Sequence, residues 1–387
     1  MSPLDWSHVL AWRTQRQQLA ERAPRARALD VVAQVCGLHA QLLGSAELSL
    51  WARVDGLERG EVERWLWERR TLVKTWSQRG TLHLLRAADL PRWCAAQAAL
   101  KPRYETGAWL RHHGLAADEA AALIAAIPLA LADGPLTREQ LAAAVAERTG
   151  IAGLDGKLRG GFGDLLKPAA FHGELCFAPS DGNAVRFVRP RDWLAERVDD
   201  WAGIGDPDGP SPETVAAASA WVARDYLTRY GPAPREALAR WFGTPSAAQA
   251  GRWLAALGDE AEQVDVAGEP CWILAADRPA LEAAAPTGAL RLLPAFDPHV
   301  IAGPRDRPEA LDPDRRGAVF RPQGWISPVV VVDGRIVGTW KHERAGERLA
   351  VEIVPFAPLA GPLRAAAEGE AERLATFLGG TLDLDWV

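Results

Sequence analysis

The chain has 387 residues, 48% of them hydrophobic and 24% charged, with a formal net charge of -6. That length implies several modules, and that balance excludes a disordered chain. No apolar stretch is long enough to cross a bilayer and no signal-peptide pattern opens the chain, so a cytoplasmic protein without membrane contact is expected.

The charge is unevenly spread. Residues 1–115 hold 17 Lys and Arg against 11 Asp and Glu, whereas the remainder holds 27 against 39. A basic first third fits a positive patch on one module. The four cysteines, Cys36, Cys94, Cys176 and Cys271, form neither a C-x-x-C pair nor a histidine cluster at zinc spacing. They read as buried free thiols, with no metal and no cofactor expected. Tryptophan is frequent, at 17 residues, and most of these rings are assigned to core and helix packing. The wealth of Ala, Arg and Gly fits a GC-rich bacterial source.

Residues 5–115 read as mainly helical. Apolar side chains recur at three and four spacings through 28–37 and through Val62–Trp67. The first of these runs is closed by Gly37-Leu38-His39-Ala40-Gln41. If residues 39–41 are extended, the His39 and Gln41 side chains project from one side. A histidine can orient or deprotonate water near neutral pH, and a glutamine can hold that water or a sugar. The bland alternative is that both residues cap a helix end or face solvent. Further on, Arg79–Leu85 alternates and reads as a strand, and Ala87–Pro91 opens another helix. Helices followed by a short strand describe a winged helix-turn-helix.

Residues 116–195 repeat this plan. Thr137 and Gln140 have capping-box spacing, and Gly150 can end the helix that follows. A helix is expected around Phe162–His172. Two alternating runs around Asp181-Gly182-Asn183 then form a hairpin, the wing of the module. Residues 196–284 look like a third copy, with a linker over 202–212, a segment Tyr230–Leu238 that echoes Gly134–Leu141, and wing strands at Val264–Val266 and Cys271–Leu274.

Residues 285–387 change character. Leu292–His299, Trp325–Val332, Arg335–Trp340 and Leu349–Val354 read as short strands, with a tight turn at Asp333-Gly334 and a late helix over 363–377. The expected fold is α+β, with three tandem winged helices (1–115, 116–195 and 196–284) and a C-terminal β-rich, barrel-like domain (285–387).

Taken in order, Gly37–Gln41 with Leu48–Arg53, Thr71–Leu85 with its Arg-Gly-Thr-Leu-His core, Gly231–Trp241, Leu293–Pro298 and Gly324–Trp340 resemble the AlkZ/YcaQ-like family of winged-helix DNA glycosylases. The resemblance implies a C-shaped array of winged helices around duplex DNA and excision of N-alkylated purines, above all N7-alkylguanine. The family motif has two polar residues flanking an apolar one, commonly Gln-x-Gln or Gln-x-Asp, and His39 and Gln41 stand at those positions. Histidine in first place departs from the common pattern and bears on substrate range. It is compatible with a subfamily that removes bulky genotoxin adducts or crosslinks as self-protection.

An N7-alkylguanine is cationic and departs neutral, so a strong general acid is unnecessary. Stabilising the positive sugar and delivering water to C1′ is enough. A neutral imidazole, with an ordinary pKa of about 6.5, suits His39 for that task. No lysine nucleophile stands out, which predicts a monofunctional enzyme, acting as a monomer on double-stranded DNA. Arg53, Lys74 and Arg79 are candidate phosphate contacts, with a surface or core-bridging charge as the alternative for each; His83 is a candidate DNA-facing residue, with a satisfied structural histidine favoured; and Lys341 is placed toward the DNA channel. Asp297 and His299 are supporting candidates, with Asp297 favoured as a turn cap. The alternatives are a non-catalytic winged-helix regulator or lesion sensor and, more weakly, a hydrolase of another nucleoside substrate.

Overall fold

The computed structural model describes residues 4–100, 106–161, 163–206, 208–244 and 246–387. Contacts divide the chain into two compact units, Met1–Val62 with Ala223–Trp241 and Ser246–Val387, and Glu63–Val222 with Phe242–Pro245. These limits do not coincide with the module limits expected at 115, 195 and 284.

In the first unit the N-terminal helix Trp6–Arg16 starts at Asp5, whose carboxylate accepts from the Ser7 and His8 amides. Its Trp6, Val9 and Trp12 pack into one core cluster with Val264, Val266, Cys271 and Ile273 of the antiparallel hairpin Ala261–Val266/Glu269–Leu274. The C-terminal sheet has five strands in the order Leu290–Leu293, Val329–Val332, Arg335–Ala345, Arg348–Pro355, Thr381–Trp386. The first four run antiparallel, and the last joins Arg348–Pro355 in parallel after the helix Gly361–Leu378.

That helix explains why residues 1–62 cluster with the C-terminal sheet. Arg373 donates to the carbonyls of Trp51 (2.8 Å) and Val54 (2.7 Å), and its guanidinium lies 4.4 Å from the Trp51 ring. Burial pulls the Arg373 pKa down to about 10. Glu370 pairs with Arg22 on the same face.

Among its described residues the second unit holds three antiparallel pairings, the shortest between Leu136–Thr137 and Ala184–Val188. The longer ones join Leu72–Trp76 to Leu82–Arg86 and Cys176–Asp181 to Ala184–Val188. The strand expected over Arg79–Leu85 therefore begins at Leu82, after a turn at Gln78–Gly80. The capping box forms as read: Thr137 Oγ1 accepts from the Gln140 amide (3.2 Å), and Gln140 Oε1 accepts from the Thr137 amide (2.8 Å). Gly150 ends that helix in the left-handed conformation. The helix expected around Phe162–His172 shortens to Lys167–Phe171; Phe162, and Pro207 in the expected linker, lie outside the described residues.

Four expectations for the C-terminal region change. The sheet is open, with Leu290–Leu293 and Thr381–Trp386 at its edges, and no closed barrel is found among the described residues. The strand expected over Leu292–His299 stops at Leu293, because Asp297 caps a short helix, Pro298–Ala302, with proline at its first position. The strand expected from Trp325 starts at Val329, since 322–324 form a tight turn. Thr381–Trp386 was not expected as a strand at all. The two-residue turn Asp333-Gly334 does join its strands as read. None of the four cysteines forms a disulfide, and all are buried. No single described helix is long and apolar enough to cross a membrane, and no described cluster of His, Cys, Asp and Glu could hold a metal.

Candidate active site around His39 and Gln41

The helix Ala28–Gln34 is brought to a stop by two left-handed residues, Cys36 (φ 60°) and Gly37 (φ 88°). The Gly37 amide turns back to the Val32 carbonyl at 2.9 Å and the Cys36 amide to Ala33 at 2.9 Å. Glycine suits position 37 because it adopts positive φ without steric penalty. Two side chains from the end of the helix Pro212–Tyr230 satisfy the last carbonyls. Arg229 Nε donates to Gln34 (2.7 Å), and the Tyr230 hydroxyl donates to Val35 (2.8 Å). The chain then extends through Leu38–His39 and enters the helix Leu43–Trp51, which lacks a side-chain cap.

His39 is 7% exposed, and its imidazole stacks on Phe296 with centroids 4.7 Å apart and planes 19° from parallel. Gln41 is exposed. The structure thus puts one motif residue under a ring and the other in water.

Phe296 itself has φ +60° in the turn after Leu290–Leu293, a conformation rare for a bulky residue. What holds it there is its neighbour. Both Asp297 oxygens accept from the Arg53 guanidinium at 2.7 Å, and Oδ1 also accepts from the His299 amide at 2.8 Å. Arg53 and Asp297 are both fully buried, and Arg53 Nη1 also donates to the Ser49 carbonyl (2.7 Å). This corrects the expectation of a phosphate contact at Arg53. Its charge is spent inside the protein, because a buried carboxylate needs a partner more than a surface phosphate does.

His299 closes the network. Its Nε2 lies 3.0 Å from the Gly334 carbonyl and its Nδ1 lies 3.2 Å from the Gln17 side-chain amide. Burial lowers its pKa, against a smaller raising effect of the Gly334 bond and of Asp297. Gly334 (φ +81°) is required by close approach: a Cβ there would meet Thr14 Oγ1 at 2.8 Å and the Leu10 carbonyl at 3.0 Å.

Lys341 is exposed on Arg335–Ala345 and pairs across the ladder with Glu352 at 2.8 Å. In the second unit Lys74 is partly buried, its ammonium 5.1 Å from the Phe177 ring, and burial lowers its pKa. Arg79 takes φ +58° in the turn before Leu82–Arg86, with Nη2 3.4 Å from His83 Nε2. His83 is buried, its Nδ1 2.9 Å from the Thr81 carbonyl. Arg79 also lines a cavity of about 400 Å³ with Trp109, His112, Lys167, Phe171 and His172.

Residues 32–377 match the family model described as DNA glycosylase AlkZ-like. The chain belongs to the AlkZ-like DNA glycosylase family. Its relative in Streptomyces sahachiroi, the interstrand DNA cross-link repair glycosylase, is 35% identical over 382 residues, covering 97% of this chain and 96% of that protein. The solved structure of the Streptomyces sahachiroi DNA glycosylase AlkZ matches with a TM-score of 0.86 at 32% identity, over the whole of both chains. As an AlkZ-like enzyme the chain is a hydrolase of N-glycosyl bonds in DNA, not the non-catalytic regulator weighed from sequence.

Two residues of this candidate site escaped the sequence reading, Phe296 beneath His39 and Trp325 beyond it. For Phe296 a signal existed. Asp297-Pro298 is a helix-start pair, which pins the residue before it.

Proposed function

We propose that His39 and Gln41 carry hydrolysis of the N-glycosyl bond of N7-alkylguanine in double-stranded DNA, by a monofunctional mechanism. The observation that supports this reading is the contrast between the two side chains. The His39 ring is held flat against Phe296, and Gln41 two residues on is open to solvent. A preorganised imidazole beside an accessible carboxamide suits water delivery.

The chemistry asks little else. The C1′–N9 bond breaks, the alkylated guanine leaves as a neutral base, and positive charge develops on the sugar. Gln41 holds the incoming water or the sugar by its amide. His39 takes the water proton as the oxygen bonds to C1′ and returns it to solvent. Arg79 and Lys341, with a lesser share from Lys74, are assigned to backbone phosphates, and His83 to holding Arg79. Asp297 and His299 are positioning residues behind Phe296. The enzyme acts as a monomer.

The three hairpins 72–86, 176–188 and 261–274 each follow helices, which supports reading them as the wings of three winged helices. The name of the Streptomyces sahachiroi relative supports extending the substrate class to bulky adducts and crosslinks. The test is mass spectrometry of bases released from alkylated duplex by purified protein. Release of N7-alkylguanine, abolished by His39→Ala/Gln41→Ala without strand nicking, is expected. No release across simple and bulky adducts overturns the proposal.

A further inference from the structure

Trp325 is 43% exposed, one of the few large apolar side chains that the described residues leave in water. A single exposed apolar residue needs no explanation. Trp325 differs because it ends an unbroken run of rings. His39 lies flat on Phe296, and Phe296 meets Trp325 edge to face at 5.1 Å and 75°. Leu42, directly after Gln41, is another exposed apolar residue, at 41%.

The backbone under Trp325 is built to hold it out. Residues 321–325 are all exposed. The turn is closed at its foot by the Arg321 amide donating to the Trp325 carbonyl (2.9 Å) and by a bridge between Phe320 and Ile326. Below that, Ser327 donates from its amide to Val319 and from its hydroxyl to Ala318, both at 2.9 Å. Within the turn Gln323 and Gly324 are both left-handed, at φ 61° and 75°. Left-handed backbone at a non-glycine residue persists only where surrounding structure enforces it, and such positions gather at binding sites.

We propose that Trp325 is the residue on which the alkylated purine stacks, and that it selects for the charged lesion. This role for Trp325 depends on the proposed glycosylase reaction at His39 and Gln41. An indole face is the strongest aromatic partner for a cation and stacks on any base. An N7-alkylguanine is a cationic purine, whereas guanine is neutral, so the same face holds the lesion more tightly than the undamaged base. The base sheds its charge as the C1′–N9 bond breaks, and the attraction weakens along the reaction. Trp325 therefore serves lesion binding, and its removal should not slow the chemical step.

The test is binding by fluorescence anisotropy to two duplexes that differ only at one position. One carries 2′-fluoro-stabilised N7-methylguanine and the other carries guanine. Wild type is expected to prefer the alkylated duplex. Trp325→Leu, which keeps apolar contact with Phe296, should lower that preference by roughly 2- to 30-fold, the range of one cation–π contact, while weakening binding to plain duplex less. Trp325→Phe should restore part of it, which a merely structural role does not predict. In single-turnover base release, Trp325→Leu should raise the half-saturating enzyme concentration and change the saturating rate by less than about threefold.

An unchanged preference in Trp325→Leu, equal weakening on both duplexes, or a wild type without preference overturns the inference. So does a fall in the saturating rate alone, which would mean that Trp325 acts only through Phe296. A Trp325-dependent preference without any base release sinks the proposed reaction and leaves the stacking role standing. Base release with an unchanged preference does the reverse.

Discussion

Asp297 holds Arg53 through two 2.7 Å bonds in a place where neither residue touches water, and the residue directly before it, Phe296, carries the ring on which His39 lies. A buried ion pair thus stands behind the candidate active site, one residue removed from the stacking face.

Breaking that pair should unfold the protein far more readily than replacing it. Arg53→Met or Asp297→Asn leaves one partner buried without its match, at an expected cost of about 3–5 kcal/mol. Arg53→Met with Asp297→Leu should recover much of the loss, because no charge remains to be desolvated. Urea denaturation of the three variants reads both effects, and a double variant weaker than both singles would contradict the account.

Phe296→Leu keeps bulk but removes the flat face under His39. A misplacement of the imidazole by about 1 Å is expected to slow the saturating rate of base release by roughly 100-fold. Melting temperature should move little, because Phe296 is only half-buried. A rate equal to wild type would mean that the stack does not position His39.

Stability should depend on pH through His299. Burial lowers its folded-state pKa, so the unfolded chain binds a proton near its ordinary pKa of about 6.5 while the folded chain still resists it. The contribution is whole above about pH 6.5 and is lost as pH falls through the lower folded value. Urea midpoints measured at about pH 7.5 and about pH 5.5 should differ in wild type and differ less in His299→Gln. Equal differences would assign the effect to other groups.

Lys341→Ala separates folding from DNA contact. Its bond to Glu352 is exposed, so the stability change should stay within about 0.5 kcal/mol. If Lys341 meets a phosphate, binding weakens on every duplex alike and the salt slope of log K falls by about one. An unchanged slope removes Lys341 from the interface.

Much of the local structure was legible because its causes are local. The Thr137–Gln140 box, the glycine end at 150, the turns at Gly182-Asn183 and Asp333-Gly334, and the late helix each depend on a few adjacent residues. The position of the His-x-Gln pair was legible too, since Gly37 marks where the helix must stop. What joins distant segments was not. Arg53 and Asp297 are 244 residues apart, and nothing near Arg53 distinguishes a buried guanidinium from a phosphate ligand. Thr381–Trp386 alternates as a strand should, yet its parallel pairing depends on a crossover helix that returns the chain to the sheet edge.

The four cysteines have a practical consequence. Each is enclosed, and burial pushes the thiols of Cys94 and Cys271 up to about 12, where thiolate is scarce at neutral pH. A thiol engineered at Gln323 would meet a maleimide dye well before any native one does. A fluorophore attached at that single point would report nucleic acid arriving at the Arg321–Trp325 turn, in a protein otherwise left as nature made it.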